Sequence, residues 1–317
     1  MESPRIRPTR RSLLAIGTGT ALTAALGPAQ ETFAADAPKT KNPSGSGISD
    51  RLQQLEAEHS ARLGVPVRLG VFAFSTAGGD PVSHRATELF PMCSTFKTLA
   101  VGAVLQGLRK GDGFLHERVH YTERDTESSG YAPITGKAEN LRRGMTGADL
   151  CGAAISYSDN CAANLLLRRL GGPGAVTRFC RSVGDGDTRL DRWEPELNSA
   201  EPGRGTDTTT PQAIARTYAR LVLGDVLPSR HRERLTRWLL ANTTSGKQFR
   251  AGLPGDWAIA DKTGAGKYGT NNDVGIAWPP GRPPVVMSVL TTAGKRDMEK
   301  NDALIAEAAE LLAGEFI

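Results

Sequence analysis

Residues 256–292 read DWAIADKTGAGKYGTNNDVGIAWPPGRPPVVMSVLTT and contain three short apolar runs separated by turns rich in glycine and proline. The runs are DWAIADKTG (256–264), NDVGIAWPP (272–280) and PPVVMSVLTT (283–292). Apolar runs of this length with such boundaries predict β-strands. Residues 301–316, NDALIAEAAELLAGEF, have the apolar spacing of an amphipathic helix. The C-terminal part of the chain therefore predicts three strands followed by a helix.

The N-terminal part of the globular sequence mirrors this arrangement. Ile48, Leu52 and Leu55 recur at helical spacing, and Gly64 predicts the end of that helix. Residues 65–80, VPVRLGVFAFSTAGGD, then alternate through a strand and reach a turn, which predicts a second strand beyond it. Helix and strands are therefore expected at both ends of the chain.

Residues 90–240 differ, because helical segments joined by loops containing glycine and proline replace the alternating pattern. The whole pattern predicts an α/β (α+β) fold. In it, a sheet-and-helix domain formed by residues 48–88 and 240–317 carries an inserted all-helical domain, residues 89–239. A small-molecule site is expected in the cleft between the two domains.

The first residues predict export. PTRRSLLAIGTGTALTAALG (8–27) places Arg10 and Arg11 before a short apolar stretch, and cleavage points follow near Ala34 or Ala35. Residues 1–35 are interpreted as a twin-arginine-like signal peptide, with an ordinary secretory signal as the alternative, and residues 36–47 as a flexible linker. The mature protein is expected outside the cytoplasm, secreted or periplasmic. No later apolar run is long enough to span a membrane, so stable membrane association is not expected.

Composition excludes other classes of protein. The formal charge is +5 and the lysines and arginines are scattered, which argues against a nucleic-acid surface. The five histidines and four cysteines form no metal-ligand motif, so neither a metal nor a cofactor is expected. The cysteine spacing leaves a disulfide possible without predicting one. The protein is expected to be a monomer.

Two residues in PMCSTFKTLAVGAVLQGL (91–108) suggest nucleophilic chemistry. Ser94 lies at the start of an apolar helix, and Lys97 follows three residues later on the same face. A desolvated lysine amine can take the proton of a serine hydroxyl, and a helix N-terminus offers N–H groups to a developing oxyanion. The S-x-x-K pattern alone is weak, since a chain of this length contains about one by chance.

Three further stretches are equally weak when each is taken alone. SDN (158–160) resembles a turn or a helix cap, and KTG (262–264) resembles the end of an exposed strand. RLDRWEPELN (189–198) fits neither regular period and is interpreted as a loop, in which Glu194 and Glu196 flank a proline.

Together these stretches resemble the class A serine β-lactamases. MCSTFK (92–97), SDN (158–160), RWEPELN (192–198), DTTTP (207–211) and DKTGAG (261–266) occur in the order found in that family, and S-x-x-K, S-D-N and K-T-G are its recognised signature. The resemblance runs from about residue 48 to the C-terminus. It implies hydrolysis of the β-lactam ring through a serine acyl-enzyme, and hence β-lactam resistance.

The resemblance also implies roles in forming the acyl-enzyme. Ser94 would be acylated and Lys97 would assist its deprotonation, while Ser158 would pass a proton to the departing lactam nitrogen. The backbone N–H groups of Ser94 and Ala265 would form the oxyanion hole, and Gly264 would give the substrate close access to the strand. Whether Lys97 or Glu194 is the base in acylation remains open.

Other implied roles concern the substrate and the hydrolytic water. Asn160 would bind the substrate's amide side chain, Tyr131 would form a wall of the cleft, and Lys262 and Thr263 would hold its carboxylate. Glu194 and Asn198 would hold the water that hydrolyses the acyl-enzyme, whereas Glu196 is interpreted as an ordinary loop acid. The resemblance further implies an Arg192–Asp207 ion pair that closes this loop and a cis Glu194–Pro195 bond.

The sequence departs from many relatives at two places. Asn271 and Asn301 align where such relatives have a carboxylate-binding arginine, which leaves Lys295, Arg296 or Lys300 as possible substitutes. Gly266 stands where some carbapenem-hydrolysing members have a cysteine that pairs with the one before the nucleophile, so that disulfide is not expected.

Two other functions remain as alternatives. A penicillin-binding D,D-peptidase shares the serine, lysine and K-T-G but generally lacks the E-x-x-L-N water site. A β-lactam sensor domain becomes acylated and stays so. Substrate range among penicillins, cephalosporins and carbapenems does not follow from the sequence.

Overall fold

The computed structural model describes residues 47–108 and 113–317. Its helices are α1 (Ile48–Leu63), α2 (Phe96–Gly107), α3 (Glu123–Ser129), α4 (Ala138–Arg143), α5 (Gly147–Ser156), α6 (Asn160–Leu170), α7 (Gly174–Ser182), α8 (Pro211–Val222), α9 (Ser229–Leu240), α10 (Phe249–Gly252) and α11 (Asp302–Phe316). Its strands are β1 (Val67–Ser75), β2 (Val82–His84), β3 (Phe90–Pro91), β4 (Arg118–Val119), β5 (Met145–Thr146), β6 (Thr208–Thr209), β7 (Ala258–Ala265), β8 (Asn271–Trp278) and β9 (Val285–Ala293).

Five of these strands form one antiparallel sheet in the order β2-β1-β9-β8-β7. The first two come from the N-terminal part and the last three from the C-terminal part, and β1 pairs along its whole length with β9. The predicted strands, the first helix with its left-handed Gly64 cap, and the last helix are all present. The predicted α/β (α+β) fold class is confirmed.

The strands β7, β8 and β9 are buried on both faces, which explains why they read as short apolar runs in the sequence. Along β9, Val285, Met287 and Val289 belong to one apolar core, whereas Val286 and Leu290 belong to the other. This alternation follows from the period of two in a strand. The first core is completed by α1 and α11, and the second by helices from the middle of the chain.

The middle of the chain is mainly helical, and polar side chains cap two of its helices. Asp159 caps α6 by accepting a hydrogen bond from the Ala162 N–H at 2.8 Å, and Thr210 caps α8. Two short antiparallel ladders, β3 with β6 and β4 with β5, also lie within residues 89–239, where strands were not expected. Two-residue strands carry too little alternation to be recognised in a sequence.

Some sequence predictions stay predictions. The signal peptide and nearly all of the linker fall in residues 1–46, outside the described residues. The division into a discontinuous α/β domain and an inserted helical domain is likewise a prediction. Among the helices that the structure describes, none has the length and apolar character needed to cross a membrane.

Candidate active site

The proposed nucleophile lies on a turn that precedes a buried helix. Residues Cys93–Thr95 form a 3-10 turn that leads directly into α2, so Ser94 and Lys97 lie one turn apart at its start. The Ser94 side chain is largely buried, and its Oγ donates a hydrogen bond to Glu194 Oε1 at 3.4 Å. Helical geometry therefore places the serine and the lysine of S-x-x-K near each other.

Lys97 is fully buried and is held by three groups from other parts of the chain. Its Nζ donates to Asn160 Oδ1 at 2.6 Å and to the Ser158 carbonyl oxygen at 2.7 Å, and it lies 3.0 Å from Glu194 Oε1. Burial lowers the pKa of Lys97, and the Glu194 carboxylate opposes that shift. A lowered pKa favours the neutral amine, which is the form that can take the proton of a serine hydroxyl.

Glu194 brings the loop of residues 183–207 into contact with the nucleophile. While Oε1 contacts Ser94 and Lys97, Oε2 accepts a hydrogen bond from Asn198 Nδ2 at 2.5 Å. The Asn198 Oδ1 atom is buried and has no hydrogen-bond partner among the described residues, so it is free to accept one. Glu196, by contrast, is exposed. A carboxylate and an amide oxygen therefore lie together beside Ser94, as a bound water requires.

Asn164 on α6 holds the main chain of Glu194 on both sides, and sequence reasoning missed it. Its Oδ1 accepts from the Glu194 N–H at 3.0 Å, and its Nδ2 donates to the Glu194 carbonyl at 2.9 Å. No local pattern in NCAANLLLRRL distinguishes this asparagine from a helix-surface residue. The Glu194–Pro195 bond is cis, as the resemblance implies.

The same loop is closed by the ion pair that the resemblance implies, between Arg192 within the loop and Asp207 at its end. Arg192 Nε donates to Asp207 Oδ2 at 2.5 Å, and the Asp207 carboxylate also accepts the backbone N–H groups of Asp191 and Arg192. Arg192 further contacts Ser199 and Glu201. This network fixes the loop at positions on both sides of Glu194.

Ser158 connects the two buried lysines of the site. Its Oγ accepts a hydrogen bond from Lys262 Nζ at 3.0 Å and lies 3.4 Å from Lys97 Nζ. Burial, followed by the positive charge of Lys97, lowers the pKa of Lys262 to about 7. The adjacent Thr263 Oγ1 hydrogen-bonds to Thr244 Oγ1 at 2.5 Å. One end of the site thus holds the Ser158 hydroxyl, the Lys262 amine and two threonines.

Two buried acids lie behind Lys262 on β7 and β8. Asp261 accepts hydrogen bonds from Asn242 Nδ2 and Arg250 Nη2, each at 3.1 Å, and Asp273 accepts the Phe249 N–H at 3.2 Å. Burial raises the pKa of both carboxyl groups, and the charge of Asp261 raises that of Asp273 further. Because two buried carboxylates repel each other, a full negative charge on both Asp261 and Asp273 is unfavourable.

The end of β7 approaches the nucleophile closely because residue 264 is glycine. A Cβ at Gly264 would lie 2.8 Å from the Met92 carbonyl oxygen and 3.1 Å from the Ser94 nitrogen. The backbone of Ala265 follows at the cavity edge. At Gly266 a Cβ would lie 2.7 Å from Cys93 Sγ, so this glycine does face the cysteine before the nucleophile. All four cysteines are free and buried.

A cavity of about 420 Å³ brings most of the predicted site residues together. Its predicted lining residues are Ser94, Tyr131, Ser158, Asn160, Asn198, Thr263, Gly264 and Ala265, with Lys97, Glu194 and Lys262 directly behind them through the contacts given above. Tyr131 is half exposed, and its carbonyl oxygen accepts the Asn160 N–H at 2.8 Å. Thr244 and Gln248 also line the cavity, and neither was predicted because both lie in an irregular segment before α10.

The two asparagines that the resemblance aligns with an arginine of many relatives lie in different surroundings. Asn271 lines the cavity and is fully buried. Asn301 caps α11 by accepting the Leu304 N–H at 3.2 Å, and its Nδ2 lies 2.7 Å from His59 Nδ1. Of the three proposed substitute cations, Lys300 is the one that lines the cavity. Within the described residues no group of His, Cys, Asp and Glu could hold a metal ion.

Comparison with known proteins places these features in context. Residues 48–316 match the model of the Beta-lactamase enzyme family. The chain is 57% identical over 314 residues to a β-lactamase of Streptomyces fradiae, covering 99% of this chain and 98% of that protein. Its structure is similar to that of the β-lactamase of Streptomyces albus G, with 58% identity, a TM-score of 0.83, and coverage of 86% of this chain and all of that one. An ancestral class A β-lactamase aligns at 49% identity with a TM-score of 0.79, covering 85% of this chain and all of that one.

Proposed function

This chain belongs to the Beta-lactamase enzyme family, whose class A members hydrolyse the β-lactam ring, and we propose that it acts through a covalent acyl-enzyme on Ser94. One observation carries the proposal. Glu194 Oε1 lies 3.4 Å from Ser94 Oγ and 3.0 Å from Lys97 Nζ inside a buried cluster that opens on the cavity. A nucleophile beside two groups able to take its proton is the arrangement that acyl transfer requires.

In the first step, Ser94 Oγ attacks the lactam carbonyl carbon and its proton passes to the Lys97–Glu194 pair. The carbonyl oxygen becomes an oxyanion, which the backbone N–H groups of Ser94 and Ala265 stabilise. The carbon–nitrogen bond of the ring then breaks, and the nitrogen takes a proton from Ser158 Oγ. The hydrogen bonds from Lys262 and Lys97 to Ser158 support this relay, because both amines can return a proton to the hydroxyl.

In the second step, a water held by Glu194 and Asn198 attacks the ester carbonyl. Glu194 takes the proton of the water, the ester bond breaks, and the proton returns through the Lys97–Glu194 pair to the leaving Ser94 Oγ, which restores the free serine. The direct Glu194–Asn198 hydrogen bond of 2.5 Å and the free Asn198 Oδ1 support this assignment. During both steps Asn160 and Tyr131 are assigned to the substrate's side chain, and Lys262 and Thr263 to its carboxylate.

The Glu194–Asn198 pair also favours hydrolysis over the two alternatives, a D,D-peptidase and a sensor domain. Both alternatives leave a lasting acyl-enzyme. The deciding experiment adds benzylpenicillin in excess to the purified mature protein and follows loss of the lactam ring beside the intact protein mass. Many turnovers without a persistent adduct are expected. Loss of one equivalent of antibiotic with a stable adduct on Ser94 would instead indicate a peptidase or a sensor.

Lys262→Ala is expected to raise the KM for benzylpenicillin by about 10- to 150-fold. A hydrogen bond to a charged group contributes about 1.5–3 kcal/mol, and each 1.4 kcal/mol corresponds to about a factor of ten. Steady-state kinetics measure the change, and Lys267→Ala is the matched control, since Lys267 is exposed and pairs only loosely with Asp297 at 3.5 Å. A KM that stays near the wild-type value would assign the carboxylate to another cation.

The same lysine is expected to make substrate affinity depend on pH. Because its pKa is lowered to about 7, Lys262 is a cation below that pH and loses its charge as the pH rises through it. The KM should therefore increase between about pH 6 and pH 9. Lys262→Arg, whose guanidinium stays charged over this range, should give a flatter profile.

We also propose that the protein is exported through the twin-arginine route, by a signal that lies outside the described residues. Arg10 and Arg11 precede a mild apolar stretch, which supports this type of signal. Replacing both arginines by lysine is expected to leave the precursor inside the cell, as fractionation and immunoblotting would detect. Unchanged secretion would indicate an ordinary secretory signal.

A further inference from the structure

A series of four hydrogen-bonded side chains leads from the buried acid Asp261 to the cavity. Asn242 Nδ2 donates to Asp261 Oδ2 at 3.1 Å, and Asn242 Oδ1 lies 2.7 Å from Thr244 Oγ1. Thr244 Oγ1 in turn lies 2.5 Å from Thr263 Oγ1. Asp261 and Asn242 are almost completely buried, whereas both threonines line the cavity. The series therefore ends at Thr263, which the proposed function assigns to the substrate carboxylate.

The orientation of the Asn242 amide is fixed by a group that cannot change its role. Asn242 Oδ1 accepts the backbone N–H of Thr244 at 3.0 Å, and a backbone N–H can only donate. An amide turned the other way would set its NH₂ group against that N–H. In the observed orientation, Asn242 Nδ2 faces Asp261, which also accepts Arg250 Nη2 at 3.1 Å. Both ends of the Asn242 amide therefore agree that its oxygen is the acceptor toward Thr244.

The directions of the two threonine hydroxyls follow from this orientation. Because Asn242 Oδ1 can only accept, the 2.7 Å contact requires Thr244 to donate its hydroxyl proton to that oxygen. Thr244 Oγ1 then has only lone pairs for Thr263, so Thr263 donates its own proton to Thr244 across the 2.5 Å contact. A hydroxyl group has a single proton. Thr263 therefore has no proton left for the cavity while this hydrogen bond lasts.

This direction does not suit the ligand that Thr263 is assigned to bind. A carboxylate only accepts hydrogen bonds, so Thr263 can hold it only after turning its proton away from Thr244. The turn breaks the hydrogen bond between the two threonines, and this loss offsets part of the affinity that the new hydrogen bond provides. Lys262 needs no such change, because an ammonium group has three protons.

We infer that Thr244 is a positioning residue that holds the Thr263 proton away from the cavity and thereby weakens binding of the substrate carboxylate. The inference rests on the proposed function, which assigns that carboxylate to Lys262 and Thr263. Removing the Thr244 hydroxyl leaves the Thr263 proton free for the substrate. Asn242 Oδ1 keeps a partner in that case, because it still accepts the backbone N–H of residue 244.

The test measures the steady-state kinetics of the mature enzyme with benzylpenicillin. Thr244→Val keeps the branched shape without the hydroxyl, and we expect its KM to fall by about 2- to 10-fold with little change in kcat, as one neutral hydrogen bond implies. Thr244→Ala removes the same oxygen and should give the same fall if valine packs poorly. Thr243→Val is the matched control and should leave the KM unaltered, because the Thr243 side chain is exposed and its hydroxyl donates to the Ser156 carbonyl oxygen at 2.9 Å.

Thr263→Val distinguishes the released proton from a general change in the cavity. When Thr244→Val is added to Thr263→Val, the KM should not fall, because no Thr263 proton is left to release. A fall that persists in the Thr263→Val background overturns the inference while leaving the proposed function intact, and so does the absence of a fall in folded Thr244→Val and Thr244→Ala. A wild-type protein that neither hydrolyses benzylpenicillin nor forms an adduct overturns both.

Discussion

Lys97→Met is expected to slow acylation of Ser94 by about 10²–10⁴-fold, the usual contribution of a positioned acid or base. The result should hold for either proton route. If the Lys97 amine takes the serine proton, the base is lost. If Glu194 takes the proton, its buried carboxylate loses the positive charge of Lys97, whose Nζ lies 3.0 Å away. The ionised carboxylate that must act as the base is then less favourable. Methionine is chosen because it fills a similar volume.

The measurement is the rate at which the intact-protein mass of the adduct appears after mixing with benzylpenicillin. Lys267→Met, at an exposed lysine, is the control and should acylate normally. Thermal unfolding of both variants shows whether a slow rate reflects local damage, since breaking a buried ion pair costs about 3–5 kcal/mol. A Lys97→Met protein that is folded and acylates at the wild-type rate would remove Lys97 from the mechanism.

The fold was predictable from the sequence because its main signals are local. The strands β7, β8 and β9 are buried on both faces, so residues 256–292 read as three apolar runs, and the alternation along β9 divides those runs between two cores. The C-terminal end of α1 follows from Gly64, which adopts a left-handed conformation. The two-residue ladders could not be predicted from the sequence, because two residues cannot establish a period.

The candidate site was predictable only in part. Ser94 and Lys97 lie one helical turn apart, so spacing alone could bring them together. Glu194 is 97 residues beyond Lys97 and lies in a loop without periodicity, so only the resemblance to a family indicated its contact with the nucleophile. Its place depends on tertiary contacts, including the two hydrogen bonds from Asn164 to its main chain.

Residues that contact the cavity through a series of hydrogen-bonded side chains were the hardest to predict from the sequence. Gln248 and Asp302 come from segments more than fifty residues apart and meet through Asn271 on β8. The resemblance pointed to both Asn271 and Asn301 as neighbours of the carboxylate site; Asn271 lines the cavity, whereas Asn301 serves as the cap of α11. The direction of each hydrogen bond in such a series depends on the groups at its ends, and no sequence pattern records that dependence.

Glu194→Ala is expected to leave the protein able to react with benzylpenicillin while deacylation slows by about 10²–10⁴-fold. The ester on Ser94 hydrolyses slowly unless a water is held against it and deprotonated. Glu194 contacts Ser94 Oγ through one oxygen and Asn198 through the other, so it can bind such a water and take its proton. Intact-protein mass spectrometry should therefore show a covalent adduct that accumulates in this variant.

Glu196→Ala is the matched control, because Glu196 lies two residues along the same loop and its side chain is exposed. It should turn over benzylpenicillin at nearly the wild-type rate without a persistent adduct. The assignment is limited to deacylation, since acylation can use Lys97 as well as Glu194. It would be wrong if Glu194→Ala kept full turnover, or if Glu196→Ala were the variant that trapped the adduct. Either result would move the hydrolytic water away from the Glu194–Asn198 pair.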